Sequence, residues 1–154
     1  MSNMKPSFDS IYMDLAQSLA LRSHCTRAQV GAVLTKDTRI ISIGYNGPPQ
    51  GTHNCDEDFH EEGGCPRDSK GSCSLALHAE QNAIIQAAYL GVTTKEATLF
   101  ASSNPCSTCS KMIINAGIVR VVCREEHHDL AGMELLKKAG VLVEIKWVSF
   151  DKLV

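Results

Sequence analysis

The sequence predicts a three-layer α/β/α sandwich on a five-stranded mixed sheet, and three observations lead there. Four stretches with a helical apolar rhythm are interleaved with five β-rich runs, in the order α-β-β-α-β-α-β-α-β. The first two strands are joined by only a few residues, whereas the later ones are joined by helix-length segments. A short link makes an antiparallel hairpin and a helical crossover makes a parallel pair, so the sheet is expected to be mixed. The chain has 154 residues, 44% of them apolar, which suits one ordinary core, and residues 1–154 are expected to form a single domain.

Each element has its own local signal. Phe8, Ile11, Tyr12, Leu15, Ala16, Leu19 and Ala20 repeat at i, i+3, i+4 and i+7 behind Ser7, a good N-cap, so an amphipathic helix is expected there. The runs 29–35 and 39–45 are β-rich and flank Lys36-Asp37-Thr38, which reads as a hairpin turn, with Gly44 expected to end the pairing. From 46 to 74 the chain carries Pro48, Pro49, Gly51, Gly63, Gly64, Pro66 and Gly71 and few apolar residues. A loop of that length in a small domain needs a function or something to hold it. A helix follows over 77–90, closed by Gly91. The third strand spans 97–102, a helix 106–116 ends at Gly117, and 119–123 is the fourth strand. The last helix, 130–139, stops at Gly140 before a final strand over 141–148.

Composition narrows the function. No apolar stretch approaches a membrane span, and the start lacks the charged-then-apolar layout of an export signal, so a cytoplasmic protein is expected. Seven cysteines in such a chain read as metal ligands and reduced thiols rather than disulfides. With 15 basic and 17 acidic residues the formal charge is −2, which gives no footprint for a nucleic-acid polymer and favours a small substrate.

The chemistry concentrates in His78-Ala79-Glu80 and Pro105-Cys106-Ser107-Thr108-Cys109. His78, Cys106 and Cys109 supply three zinc ligands, the number that leaves a fourth tetrahedral position open for catalysis. Cys106 and Cys109 are i, i+3 at a helix start marked by Pro105, so both sulfurs can face one ion, and the helix N-terminus favours their thiolates. Glu80 follows His78 by two residues, roughly 200° around an ideal helix, which places it poorly as a ligand of the same metal. It suits instead a carboxylate that moves protons beside that metal.

His-x-Glu followed by Pro-Cys-x-x-Cys is the general signature of zinc nucleobase deaminases, so the class is recognised rather than derived. Together with Gln29-Val30-Gly31-Ala32-Val33, Gly44-Tyr45-Asn46-Gly47-Pro48-Pro49-Gln50-Gly51, His78-Ala79-Glu80-Gln81-Asn82-Ala83-Ile84 and Ile114-Asn115-Ala116-Gly117-Ile118, the sequence resembles the deoxycytidylate (dCMP) deaminases of the cytidine deaminase superfamily over nearly its whole length. The resemblance implies a cytidine deaminase-like fold and a zinc-dependent hydrolase that converts dCMP to dUMP. It implies that Glu80 shuttles the proton, that Ala79 and Asn46 contact the substrate, and that Arg22 and Arg27 are candidates for its 5′-phosphate. It further implies control by dCTP and dTTP at a site near Tyr45, Asn46, Gly47 and Gly51, and a homo-oligomer, often a hexamer. A related deaminase of free nucleosides, free bases or tRNA adenosine, and a silent zinc module that senses nucleotides, are the alternatives. The two arginines argue against the nucleoside enzyme and the intact Glu80 against the silent module.

Two departures stand out. Where relatives place a tyrosine near the base, this chain has Glu126-His127-His128-Asp129, so His127 either stacks on the base or is a solvated surface residue. Cys25 and Cys55 stand where some phage and bacterial relatives ligate a second, structural zinc. Cys65 and Cys73 could complete four sulfur donors, with His53 and His60 as substitutes, and such a site would contribute folding energy directly. Cys123 ends an apolar strand and reads as an inert core thiol.

Overall fold

The computed structural model describes residues 5–57, 65–124 and 130–146. The elements are α1 (Phe8–Ala20), β1 (Gly31–Lys36), β2 (Arg39–Tyr45), α2 (Ala79–Tyr89), β3 (Thr98–Ala101), α3 (Ser107–Asn115), β4 (Arg120–Cys123), α4 (Ala131–Lys138) and β5 (Leu142–Ile145). The order is the one the sequence predicts. One sheet runs β2-β1-β3-β4-β5. The β1/β2 and β1/β3 pairs are antiparallel, and β3/β4 and β4/β5 are parallel through the crossover helices α3 and α4.

Alternation along the strands builds two cores. Ala32, Leu34, Leu99, Ala101, Val121 and Cys123 point to the face covered by α2, α3 and α4, while Val33, Phe100 and Val122 point to the face covered by α1. Each fully buried Val, Leu or Phe contributes roughly 1.5–3 kcal/mol. Phe100 packs its ring 5.1 Å from that of Tyr12, and the Tyr12 hydroxyl donates to Thr38 O at 2.8 Å.

Local chemistry accounts for the boundaries, with some shifts from expectation. Ser7 Oγ accepts from Ser10 N–H and caps α1. The buried face of α1 is rotated, however: Met13 is fully buried, whereas Phe8 and Ile11 are 56% and 44% exposed. The hairpin turn is the tighter Asp37-Thr38, whose positive φ values of 48° and 61° match the turn that suits twisted strands. Gly44 does not end the ladder, since it pairs with Ala32 and Tyr45 pairs with Gly31. It is glycine because a Cβ there would lie 2.3 Å from Ala79 O and 2.6 Å from Ala83 N. Gly31 does the same for α1, where a Cβ would sit 1.9 Å from Ala16 O. The final strand ends at Ile145 among the described residues, and the remainder of the expected 141–148 run lies largely outside them.

Charge ties α1 to the far edge of the sheet. The Arg120 guanidinium donates to both Asp9 oxygens, at 3.1 and 2.5 Å, and to Glu144 Oε2 at 2.6 Å, with Lys146 also paired to Asp9. Hydrogen bonds from Arg120 hold the Asp9 carboxyl down at about 2, against an ordinary 3.8. A depressed carboxyl stabilises the fold fully above its unfolded value and loses that contribution as pH falls through its folded value. Thermal melts of wild type and Arg120→Met should therefore differ most at neutral pH and converge between about pH 4 and pH 2. A gap that stays constant with pH would show that the pair contributes nothing through ionisation.

Candidate active site

Two helix N-termini meet at one point. His78 is the N-cap of α2 and Cys106 the N-cap of α3, both in extended backbone just outside their helices rather than within them as the sequence suggested. His78 N–H donates to Gln81 Oε1 at 2.8 Å, which fixes the α2 entry. Cys106 Sγ accepts from Cys109 N–H at 3.5 Å, so the sulfur itself caps α3. Cys109 lies one turn in and is buried.

These caps bring His78 Nδ1 to 3.5 Å from Cys106 Sγ and 3.3 Å from Cys109 Sγ. The three ligand atoms lie within 4.8 Å of one another. Tetrahedral bonds of ~2.05 Å to nitrogen and ~2.3 Å to sulfur would set a nitrogen–sulfur edge of about 3.6 Å, so the residues fit zinc closely. The hydrogen bond from Cys109 and the bond to His78 hold Cys106 as a thiolate at about 3. The Cys109 thiol is pushed up by the same shared proton and by burial. The bond to Cys106 raises His78. All three shifts describe donors competing for protons that a metal would displace.

Glu80 is outside the convergent set. It is only 3% exposed, with Oε2 3.7 Å from Cys109 Sγ, and burial raises its carboxyl. A carboxyl of that kind, next to three ligands but not among them, can accept and return a proton.

The site opens into a cavity of about 400 Å³ lined by Arg27, Ala79, Glu80, Asn46, Ser103 and Asn104 among others. A larger cavity of about 800 Å³ lies beside it, lined by Arg22, Tyr45, Gly47, Asn54, Asn82 and Tyr89 among others. The larger one holds none of the convergent ligands. Arg22 and Arg27 are therefore parted, Arg27 to the ligand-bearing cavity and Arg22 to its neighbour. Asn46 lines both. Its side-chain oxygen accepts from Val30 N–H and its amide donates to Ala28 O, each at 2.8 Å, so the group expected to contact sugar already braces the wall between the cavities. Gly51 adopts a positive φ of 85° and does not line the larger cavity. His127 and His60 lie outside the described residues.

The long loop has a second convergence. The sulfurs of Cys55, Cys65 and Cys73 lie within 4.8 Å of one another. Cys25 is not in that set, although it is near enough to Cys65 to push the Cys65 thiol up, after the larger effects of burial and of Cys73. Burial, ahead of the neighbouring thiols, pushes Cys55 up to about 12.

Sequence reasoning passed over Gly132. A Cβ there would lie 2.3 Å from Pro105 O and 2.7 Å from the Cys106 carbonyl carbon, so α4 presses directly on the loop that carries the ligand. The signal was available, since glycine inside a helix costs about 1 kcal/mol against alanine and so needs a packing reason.

Comparison with known proteins agrees with this geometry. The family described as "Cytidine and deoxycytidylate deaminase zinc-binding region" matches residues 6–125. The deoxycytidylate deaminase of Saccharomyces cerevisiae is 40% identical over 146 residues, 91% of this chain and 45% of that protein. The ComE operon protein 2 of Bacillus subtilis is 38% identical over 150 residues, 96% of this chain and 75% of that protein. The crystal structure of dCMP deaminase from the cyanophage S-TIM5 in complex with dCMP and dUMP superposes with a TM-score of 0.79 at 35% identity, covering 94% of this chain and all of that one. The chain spans a little under half the length of the two yeast deoxycytidylate deaminases it matches, at 45% and 44%. No helix among the described residues is long and apolar enough to cross a membrane. With the model matching from residue 6 to residue 125 and the ligand set standing at two helix caps, the chain belongs to the cytidine and deoxycytidylate deaminase family.

Proposed function

We propose that this chain is a zinc-dependent hydrolase that deaminates dCMP to dUMP, acting as one catalytic domain in the cytoplasm. The convergence of His78, Cys106 and Cys109 beside the buried Glu80 carries this reading. A relative of full matching length, the cyanophage enzyme, was solved with dCMP and dUMP, which supports the substrate.

A zinc ion on these three ligands would acidify water and so supply a nucleophile at neutral pH. The chain's own groups do the rest. The reaction adds water to the ring carbon bearing the amino group and releases ammonia, so one proton must reach the ring nitrogen and another the departing amine. Glu80 takes the first proton from water and hands it to the ring nitrogen, then takes the second from the new hydroxyl and gives it to the amine. Its burial keeps the proton-holding form accessible between the steps. Ala79, between His78 and Glu80 in the cavity wall, offers backbone to the base, and Asn46 holds the wall where the sugar would lie.

Arg27 is the better phosphate group of the two candidates, since only it lines this cavity. Arg22 stands in the larger cavity with Tyr45 and Gly47, which supports a separate nucleotide site there, taking dCTP and dTTP as regulators. The exposed Ile43, Ile85, Tyr89 and Leu90 near that cavity favour burial against further copies in a homo-oligomer, for which a hexamer is the family's pattern. Cys55, Cys65 and Cys73 hold a second, structural zinc, with one further donor to complete the tetrahedron.

Turnover followed by loss of cytosine absorbance tests the substrate. The enzyme should process dCMP at a far higher kcat/KM than deoxycytidine, and Arg27→Ala should lower the dCMP value roughly ten- to hundredfold, the worth of a charge-assisted hydrogen bond. Comparable kcat/KM for the two substrates in wild type would remove the phosphate assignment.

A further inference from the structure

Cys73 belongs to the three-sulfur cluster and also lines the active-site cavity. Between Cys65 and Ser74 the chain makes a small hairpin, with Arg67 bridged to Cys73 and Ser74 N–H donating to Pro66 O at 2.9 Å. At its tip Asp68 Oδ1 accepts from the N–H groups of Lys70 and Ser72, both at 2.9 Å, and Asp68 N–H donates to Ser72 O at 2.8 Å. That turn presents Gly71 O, and the Arg27 guanidinium donates to it. Beyond the hairpin, Ala76 N–H donates to Cys73 Sγ at 3.3 Å and Leu77 pairs with Gly47, which leads the chain straight into His78.

An isolated two-stranded hairpin is marginal in water. This one also lies in a loop with few apolar residues, yet Cys55 and Cys65 are 1% and 4% exposed. The sulfur cluster is what can hold it. An arginine side chain free at a cavity mouth would lose roughly 2 kcal/mol of rotamer entropy on gripping a ligand. Pinned in advance on a backbone carbonyl, it keeps other N–H donors for an anion and loses less on binding.

We propose that the Cys55, Cys65 and Cys73 centre is a positioning element for substrate: with metal bound it closes the 65–74 hairpin, and Gly71 O then holds Arg27 where a 5′-phosphate enters. The inference rests on the second-zinc and Arg27 readings above, and it makes the structural metal a determinant of nucleotide over nucleoside preference.

Zinc per chain and the dCMP-to-deoxycytidine ratio of kcat/KM are measured for wild type, Cys55→Ser, Asp68→Ala, Arg27→Ala and Asp68→Ala/Arg27→Ala. Dissociation constants for both ligands are measured by calorimetry in a Glu80→Gln background. Wild type should carry two zinc ions and Cys55→Ser one, with the preference ratio reduced roughly ten- to hundredfold. Asp68→Ala, which leaves every thiol in place, should keep both ions and still lose part of the ratio, and the double variant should be no worse than Arg27→Ala. One zinc in wild type overturns the second-metal reading and this inference with it. An unchanged ratio in Arg27→Ala overturns the phosphate reading instead. Two zinc ions, with loss of one in Cys55→Ser and no change in the ratio, overturn the inference alone. If Cys55→Ser does not fold, Asp68→Ala decides, because an unchanged ratio there, or additive losses in the double variant, refutes the coupling.

Discussion

Glu80→Gln should fold, keep its full zinc content and bind dCMP, while kcat falls at least roughly 10²- to 10⁴-fold, the usual worth of a positioned acid–base group. The amide has nearly the carboxylate's shape but cannot take a proton from water and return it to a ring nitrogen. The surroundings of Glu80 make the test clean. Its side chain is buried and lies outside the convergent ligands, with Oε2 3.7 Å from Cys109 Sγ. Removing its charge should therefore leave the metal in place. Metal analysis, calorimetry with dCMP and steady-state turnover together read the outcome. Zinc release would make Glu80 a ligand, and substantial residual turnover would mean that another residue moves the proton.

Cys106→Ala should lose the catalytic zinc and reduce turnover to background, a larger effect because it removes a ligand rather than a proton carrier. Without the metal, the nucleophile must come from water of pKa about 15.7 instead of about 7, so a fall of more than roughly 10⁴-fold is expected. The same change also removes the sulfur that caps α3, so some loss of thermal stability should accompany it. Cys123→Ala is the matched control. Cys123 is buried on β4 with its thiol donating to Met133 Sδ at 3.9 Å. That variant should lose stability by packing alone while keeping all its zinc and the wild-type kcat. Equal zinc content in Cys106→Ala and wild type would show that Cys106 is not a ligand.

Much of this protein could be read directly from its residues. The order of helices and strands follows from apolar periodicity and glycine stops, and the parallel half of the sheet from helix-length crossovers. His78, Glu80, Cys106 and Cys109 were legible as candidates because each half of the motif is a short spacing at a helix start, whereas the meeting of the two halves depends on how α2 and α3 pack. The second group of sulfurs was named from the resemblance and the long loop as Cys25, Cys55, Cys65 and Cys73, and the structure brings Cys55, Cys65 and Cys73 together with Cys25 outside that set.

What depends on distant contacts was not legible. Arg22 and Arg27 are five residues apart in an irregular segment, and no periodicity says that they face different cavities. Asn46 is expected to contact the sugar, and only the packed structure adds that its side chain also bonds Val30 N–H and Ala28 O. Met13 takes the buried face of α1 in place of Phe8 and Ile11, and α1 approaches β1 so closely that a Cβ at Gly31 would lie 1.9 Å from Ala16 O. Gly44 likewise read as a strand end, and Gly132 drew no reading from the sequence at all. They are glycine because another element's backbone occupies the space of a Cβ, and that space exists only once the layers have packed.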